Sequence, residues 1–226
     1  MTFHPADNLS LTLFSVFCVV MYAVSIFAFK KSKVAKKFFF FYIGFILIVC
    51  TLAVSGLARE HVIPIVPAIF ISMMILTLAL GFSSSGLKVA QTFSLSALVA
   101  FHAFRFPLEL ILHHWADTGT IPNTMTWTGQ NFDIFSGLLA LVAMPFMSRS
   151  RQFAWAFQIV GVGLLINVLR VVILSSPFPF SWSLENPLQL ALYFPYVLIA
   201  PLFVAPAIFG HIILGRKLRM QNFKKL

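Results

Sequence analysis

Runs of roughly eighteen or more apolar residues recur along this chain, and no other feature of the sequence limits its fold as severely. A segment of that length cannot be solvated as the surface of a soluble domain. In hydrocarbon every backbone N–H and C=O must be paired within the chain. Composition agrees: 60% of the 226 residues are hydrophobic, 27 are Phe and only 10% are charged, for a mean hydropathy of +0.95. The pattern predicts an all-α, polytopic integral membrane protein forming a single transmembrane domain over residues 1–226. Seven spans are expected, near 9–29, 38–57, 62–82, 90–114, 132–148, 153–176 and 188–214. Each is long enough for a bilayer core of about 30 Å at about 1.5 Å per residue.

Charge sets the expected orientation. Lys30, Lys31, Lys33, Lys36 and Lys37 follow the first span, Lys88 precedes the fourth, and Arg149 and Arg151 follow the fifth. Arg216, Lys217, Arg219, Lys224 and Lys225 close the chain. Asp7, Glu60, Asp117 and Glu185 fall in the alternate segments. Lys and Arg concentrate on the cytoplasmic side of membrane proteins, so the N-terminus is predicted outside and the C-terminus in the cytoplasm. A bacterial plasma (inner) membrane is the expected location. The net charge of +10 is read as this topology signal. No nucleic acid is expected as a partner, because the basic runs are short juxtamembrane segments; membrane lipids with anionic headgroups are.

The first span is not expected to be a cleavable leader, since basic residues follow it and no small-residue cleavage pattern closes it. Cys18 and Cys50 are lone and apolar-flanked, so neither disulfide nor zinc is predicted. No cofactor and no metal site is expected. The final span lacks the lysine that a retinal Schiff base requires. His211 is placed near the inner end, away from the other histidines.

The stretch "FHAFRFPLELILHH" breaks the apolar rule. Ionisable groups are costly in hydrocarbon and mark function or pairing where they persist. His102, Arg105, Glu109 and His113 are spaced 3, 4 and 4 and share one helix face. Arg105 and Glu109 form an i,i+4 pair that can meet on that face. Pro107 between them frees the Ala103 carbonyl and is expected to kink the helix. Asn131, Asp133 and Ser136 open the fifth span, and Asn167 and Arg170 share a face of the sixth. Counted at about 1.5 Å per residue, these groups lie in the outer half of the membrane. The expectation is a ligand-binding pocket of Arg105, Glu109, Asn131, Asp133 and Asn167, with Arg170 available to pair with Asp133 or a ligand. The inner half is expected to hold no comparable polar group.

"NFDIFSGLLALVAMPFMSRSRQFAWAFQIVGVGLLINVLRVVIL", within residues 128–172 and just beyond, resembles the central part of the exosortase/archaeosortase family. Those are multi-pass membrane cysteine transpeptidases that process C-terminal sorting signals on the outer face. "FSG" (Phe135 to Gly137) stands at the family's Cys-Ser-Gly position, "SRSR" at its basic hairpin and "NVLR" (Asn167 to Arg170) at its Asn-x-x-Arg. Phe135 replaces the nucleophile and the seventh span has no outer histidine, so thiolate chemistry through that position is excluded. If any catalysis survives, the candidates are Ser136 as nucleophile, His113 or His114 as base and Arg170 as oxyanion donor. The resemblance implies a peptide or lipid-linked substrate on the outer face. The competing expectation is a small transporter or assembly subunit whose charged belt is structural.

Overall fold

The computed structural model describes residues 3–147 and 150–220. It is all-helical, with no strand among the described residues. The α-helices of the described residues are, in order, α1 (Asn8–Lys31), α2 (Lys36–Val54), α3 (Leu57–Glu60), α4 (Val62–Phe82), α5 (Ser84–Thr92), α6 (Leu95–Phe101), α7 (Arg105–Asp117), α8 (Ile134–Ala143), α9 (Arg151–Ser175) and α10 (Ala205–Met220). Short polar side chains start several of them. Asp7 accepts from the backbone N–H groups of Leu9 and Ser10, Ser83 from Ser85 and Gly86, Ser94 from Ala97, and Ser150 from Phe153.

Among the described residues, six continuous helical segments are long and apolar enough to cross a membrane: α1, α2, α4, Leu95–Asp117, α9 and Tyr196–Met220. The chain is therefore a multi-pass helical protein of membrane type. The fifth expected span differs, since its apolar helix runs only Ile134–Phe146, about 20 Å at the standard rise and too short for the hydrocarbon core. The last span starts at Tyr196 rather than 188, because Pro187 and Pro195 bracket a short 3-10 turn at Leu190–Leu192.

Hydrogen bonds fix two ends to the bundle. At one, Ala35 N–H donates to Ser85 Oγ, the Arg216 guanidinium donates to the Gly81 and Ser83 carbonyls, and Lys217 donates to the Gln91 carbonyl. This end gathers the lysines 30–37, Lys88 and the basic residues of α10. At the other, Ala6 N–H donates to the Tyr196 hydroxyl, Asn186 to the Gly119 carbonyl, and Arg59 lies over the Tyr193 ring at 5.1 Å. Asp7 and His114 pair there at 2.7 Å. The expected separation of Lys/Arg-rich and acidic segments is thus a separation between two ends of the fold; Arg149, Lys224 and Lys225 lie outside the described residues.

The core lies under the opposite, acid-bearing end. Phe14, Trp115, Phe203 and Tyr196 pack ring against ring at 5.0–5.7 Å, and the Trp115 indole N–H donates to Ser10 Oγ. A second apolar cluster, including Val89, Met147, Ala154, Leu214 and Leu218, closes the basic end. In α2, 11% of the most apolar window is buried, against 67% in the last span, so the early helices turn apolar surface outward while the last one is wrapped. Outward apolar surface of that kind suits hydrocarbon and not water.

Candidate functional site

The fourth span changes winding where its charges begin. Residues His102–Phe104 form a 3-10 turn between α6 and α7, the segment whose carbonyls the ring of Pro107 prevents from continuing the α-helical ladder. Arg105 and Glu109 follow on the buried face of α7, each 1% exposed.

Their partners come from the segment that replaces the outer half of the fifth span. Residues 118–133 descend from the acid-bearing end as irregular chain, and α8 begins only where Asp133 has reached the level of Arg105. Arg105 Nη1 donates to Asp133 Oδ1 at 2.8 Å. Asn131 Nδ2 donates to both Glu109 carboxyl oxygens, at 3.0 and 3.2 Å, and to the Met125 carbonyl at 3.1 Å. Asn131 Oδ1 accepts from the Asp133 backbone N–H at 3.0 Å. Glu109 thus meets Arg105 through an amide and a second acid. The i,i+4 contact expected between Arg105 and Glu109 is replaced by a tertiary ion pair through one guanidinium nitrogen.

Irregular backbone at this depth survives only where the protein satisfies its polar groups. Thr126 Oγ1 donates to the Asn123 carbonyl, and the backbone N–H groups of Gly129, Gln130 and Asn131 donate to carbonyls of Thr126, Thr124 and Thr126. Thr124 and Ser175 share a hydroxyl–hydroxyl bond of 2.7 Å. A Cβ on Gly129 would stand 2.2 Å from the Asn123 carbonyl oxygen, so the tight return of this loop requires glycine. A Cβ on Gly137 would stand 2.4 Å from the Phe106 backbone nitrogen. That close crossing seats α8 against α7 beside the ion pair.

Arg105, Glu109, Asn131 and Asp133 form one polar wall of a cavity of about 120 Å³. The other walls are apolar: Val66 and Phe70 of α4, Leu165 and Val172 of α9, Phe203 and Ala207 of the last span. The last span carries a π-helical turn at Ala200–Val204 beside this cavity, a local widening often found at functional sites. Arg105 Nε and Nη2 are buried and without a hydrogen-bond partner.

Four of the expected pocket residues therefore converge, and two others do a different job. Arg170 is exposed and does not pair with Asp133. Its Nη2 donates to Asn167 Oδ1 at 3.0 Å and to Gln130 Oε1 at 3.5 Å, while Asn167 Nδ2 donates to the Gln130 carbonyl at 2.8 Å. The Asn-x-x-Arg pair clamps Gln130 and so holds the loop from outside the cavity. The arrangement of Ser136 with a histidine base is not assembled either. Ser136 is buried at the α7–α8 crossing. His113, about 12 Å further along the fourth span, stacks on Trp127 at 3.9 Å and faces Asp117, and His114 bonds Asp7.

Two further features were not anticipated. Gln130 had no signal in the sequence beyond its place in a polar loop. His211 is not remote from the other histidines: its ring lies tilted against that of His102 with centroids 4.1 Å apart, and its Nδ1 lies 3.2 Å from Gln158 Oε1. Both rings are buried, so the half nearer the basic end does hold polar groups. Gly161 and Gly210 make the room, since a Cβ on either would press on one of the imidazoles. No group of three or more metal-ligating His, Cys, Asp or Glu occurs among the described residues.

The model of a domain of unknown function (DUF8737) matches residues 62–219, more than two thirds of the chain. The chain belongs to that family. The matched region takes in α4 to nearly the end of α10 and with them every residue of the cavity's polar wall. No curated protein and no solved structure matches the chain.

Proposed function

We propose that this is an exosortase-like integral membrane protein whose outer-half cavity binds the polar end of a peptide tail or of a lipid headgroup, without thiolate catalysis. In this reading the chain crosses a bacterial plasma membrane seven times. The composite of residues 118–133 and α8 serves as the fifth pass, with the N-terminus outside and the C-terminus in the cytoplasm. The gathering of basic side chains at one end of the fold supports that orientation. The "FSG", hairpin and "NVLR" resemblance supports the family link, and Phe135, 55% exposed on the outer surface of α8, supports binding over transpeptidation.

One observation carries the binding reading. Arg105 is 1% exposed, directs one guanidinium nitrogen to Asp133, and keeps Nε and Nη2 unpartnered beside a cavity whose remaining walls are apolar. A buried donor without a partner costs about 1–3 kcal/mol, so a site that keeps two is shaped for an acceptor the protein does not itself supply. Asp133 balances the guanidinium and Glu109 adds a second carboxyl. The fitting ligand group is therefore an acceptor oxygen, carbonyl or phosphoryl, at the end of an apolar chain. Glu109 and Asn131 position the loop that carries Asp133.

The test is a thermal-shift titration of the purified chain in one detergent with two probes: monododecyl phosphate for a lipid headgroup and an apolar hexapeptide with a free C-terminus for a peptide tail. One probe should raise the melting temperature of the parent by several degrees and leave Arg105→Gln unchanged. Equal shifts in parent and variant, or no shift with either probe, would overturn the reading.

The second reading, a transporter or assembly subunit with a structural belt, has its own observation. Arg105–Asp133 and Glu109–Asn131 are closed contacts that fasten the loop to α7. Under it, neither probe shifts the melting temperature.

A further inference from the structure

We propose that the basic end carries a second site, a groove that holds one acyl chain of an anionic phospholipid with its phosphate at Lys31. The groove has a volume of about 300 Å³, larger than the cavity beside Arg105, and stands apart from it. Its floor is buried and apolar, formed by Val89, Leu98 and Ile213. Its open side runs between α1 and α6, where Val24, Phe27 and Ala97 line it and are exposed.

Charge complementarity selects the occupant. Phe27 and Phe93 line the groove from opposite sides with ring centroids 6.5 Å apart, and the Lys31 ammonium lies 5.5 and 5.1 Å from the two centroids. The two rings hold a cation at the rim of an apolar slot. Lys30 precedes it, Lys33 follows in the turn after α1, Lys36 and Lys37 open α2, and Lys88 adjoins the floor residue Val89. All of these lysines are exposed. An apolar slot ending under a fixed cation amid further lysines matches a chain with an anionic head, and basic pockets between membrane helices recognise such heads. The site is independent of the reading of Arg105.

Native mass spectrometry of the full chain tests it, in micelles doped with phosphatidylglycerol or phosphatidylcholine of matched chains. The parent should bind phosphatidylglycerol about fivefold or more tightly than phosphatidylcholine, the factor expected of one lysine near an anionic headgroup. Lys31→Ala, at an exposed position, should bring the two lipids to equal affinity. Ala97→Phe, which fills the slot and keeps the charge, should weaken both. Equal binding of the two lipids by the parent would overturn the proposal, as would unchanged selectivity in Lys31→Ala or unchanged affinity in Ala97→Phe. Displacement of phosphatidylglycerol only by an acidic amphipathic peptide, with no lipid selectivity, would assign the surface to a protein partner and overturn it equally.

Discussion

Arg105 and Arg170 are the same residue type on two different spans, and burial divides them. Arg105 is enclosed and ion-paired, so Arg105→Ala leaves Asp133 buried without its counter-charge and should cost about 3–5 kcal/mol. Arg170 is exposed and binds neutral amide oxygens, so Arg170→Ala should cost no more than about 1 kcal/mol. Denaturation of both variants in one detergent checks the contrast, and equal losses would refute it. Asn131→Ala should be as severe as the first change, because it strips partners from Glu109, from the Met125 carbonyl and from the Asp133 N–H together. Charged residues in an apolar run are visible in any sequence, which is why Arg105, Glu109 and Asp133 were legible. Their pairing was not. Spacing favoured Arg105 with Glu109 and depth favoured Asp133 with Arg170, and a loop whose path has no periodicity decided otherwise. His211 was misplaced for a related reason: it was judged by its distance from the end of the chain, while its neighbour is set by how the last span packs against α6.

The element that positions the site is the loop of residues 118–133 together with the short α8. Hydropathy marks Ile134–Phe146 as apolar and says nothing of where a span's outer half goes. The Thr, Asn and Gly of "TWTGQN" signal a turn, but not one drawn inward to the level of Arg105. Gly137 is the test of that geometry. Gly137→Ala places a methyl group against the Phe106 backbone and should destabilise by about 1–3 kcal/mol, as overpacking does, whereas Gly163→Ala, with open space around it, should not. A thermal melt of the two variants distinguishes them. At the mouth of the bundle, Asp7 caps α1 and pairs with His114. Hydrogen bonds from the Ser10 side chain and backbone, then from His114, hold its carboxyl below the usual carboxylate range. A depressed carboxylate stabilises above its ordinary value near 3.8, and that support fades as pH falls through the depressed value. The parent should therefore melt higher than Asp7→Asn throughout the neutral range, with the two curves meeting only in strong acid. A gap that widens on acidification would contradict the cap.

At the scale of the whole molecule, charge and hydropathy made the class legible: a helical, multi-pass protein with its lysines gathered at one end. The apolar run expected as the fifth span forms a helix of only 13 residues, because hydropathy marks where a chain is apolar and not where its helix begins. A pocket at Arg105 was expected from its polar residues, whereas the groove below Lys31 escaped the sequence, since it is the space left between helices that lie far apart along the chain. The lysines around that groove were read only as a juxtamembrane run that attracts anionic headgroups. The molecule places an ion pair with spare donors beneath apolar walls at one level and a lysine over two phenyl rings at the other. Replacing the buried pair by apolar residues is often neutral or stabilising for a fold, so Arg105→Met/Asp133→Leu should fold and melt near the parent while losing its ligand group. The most direct measurement is therefore the native mass spectrum of the parent and of this double variant, purified identically. A bound amphiphile carried by the parent and absent from the folded double variant is the expected result. Identical spectra from the two proteins would contradict a ligand site at Arg105 and leave the pair as a structural fastening.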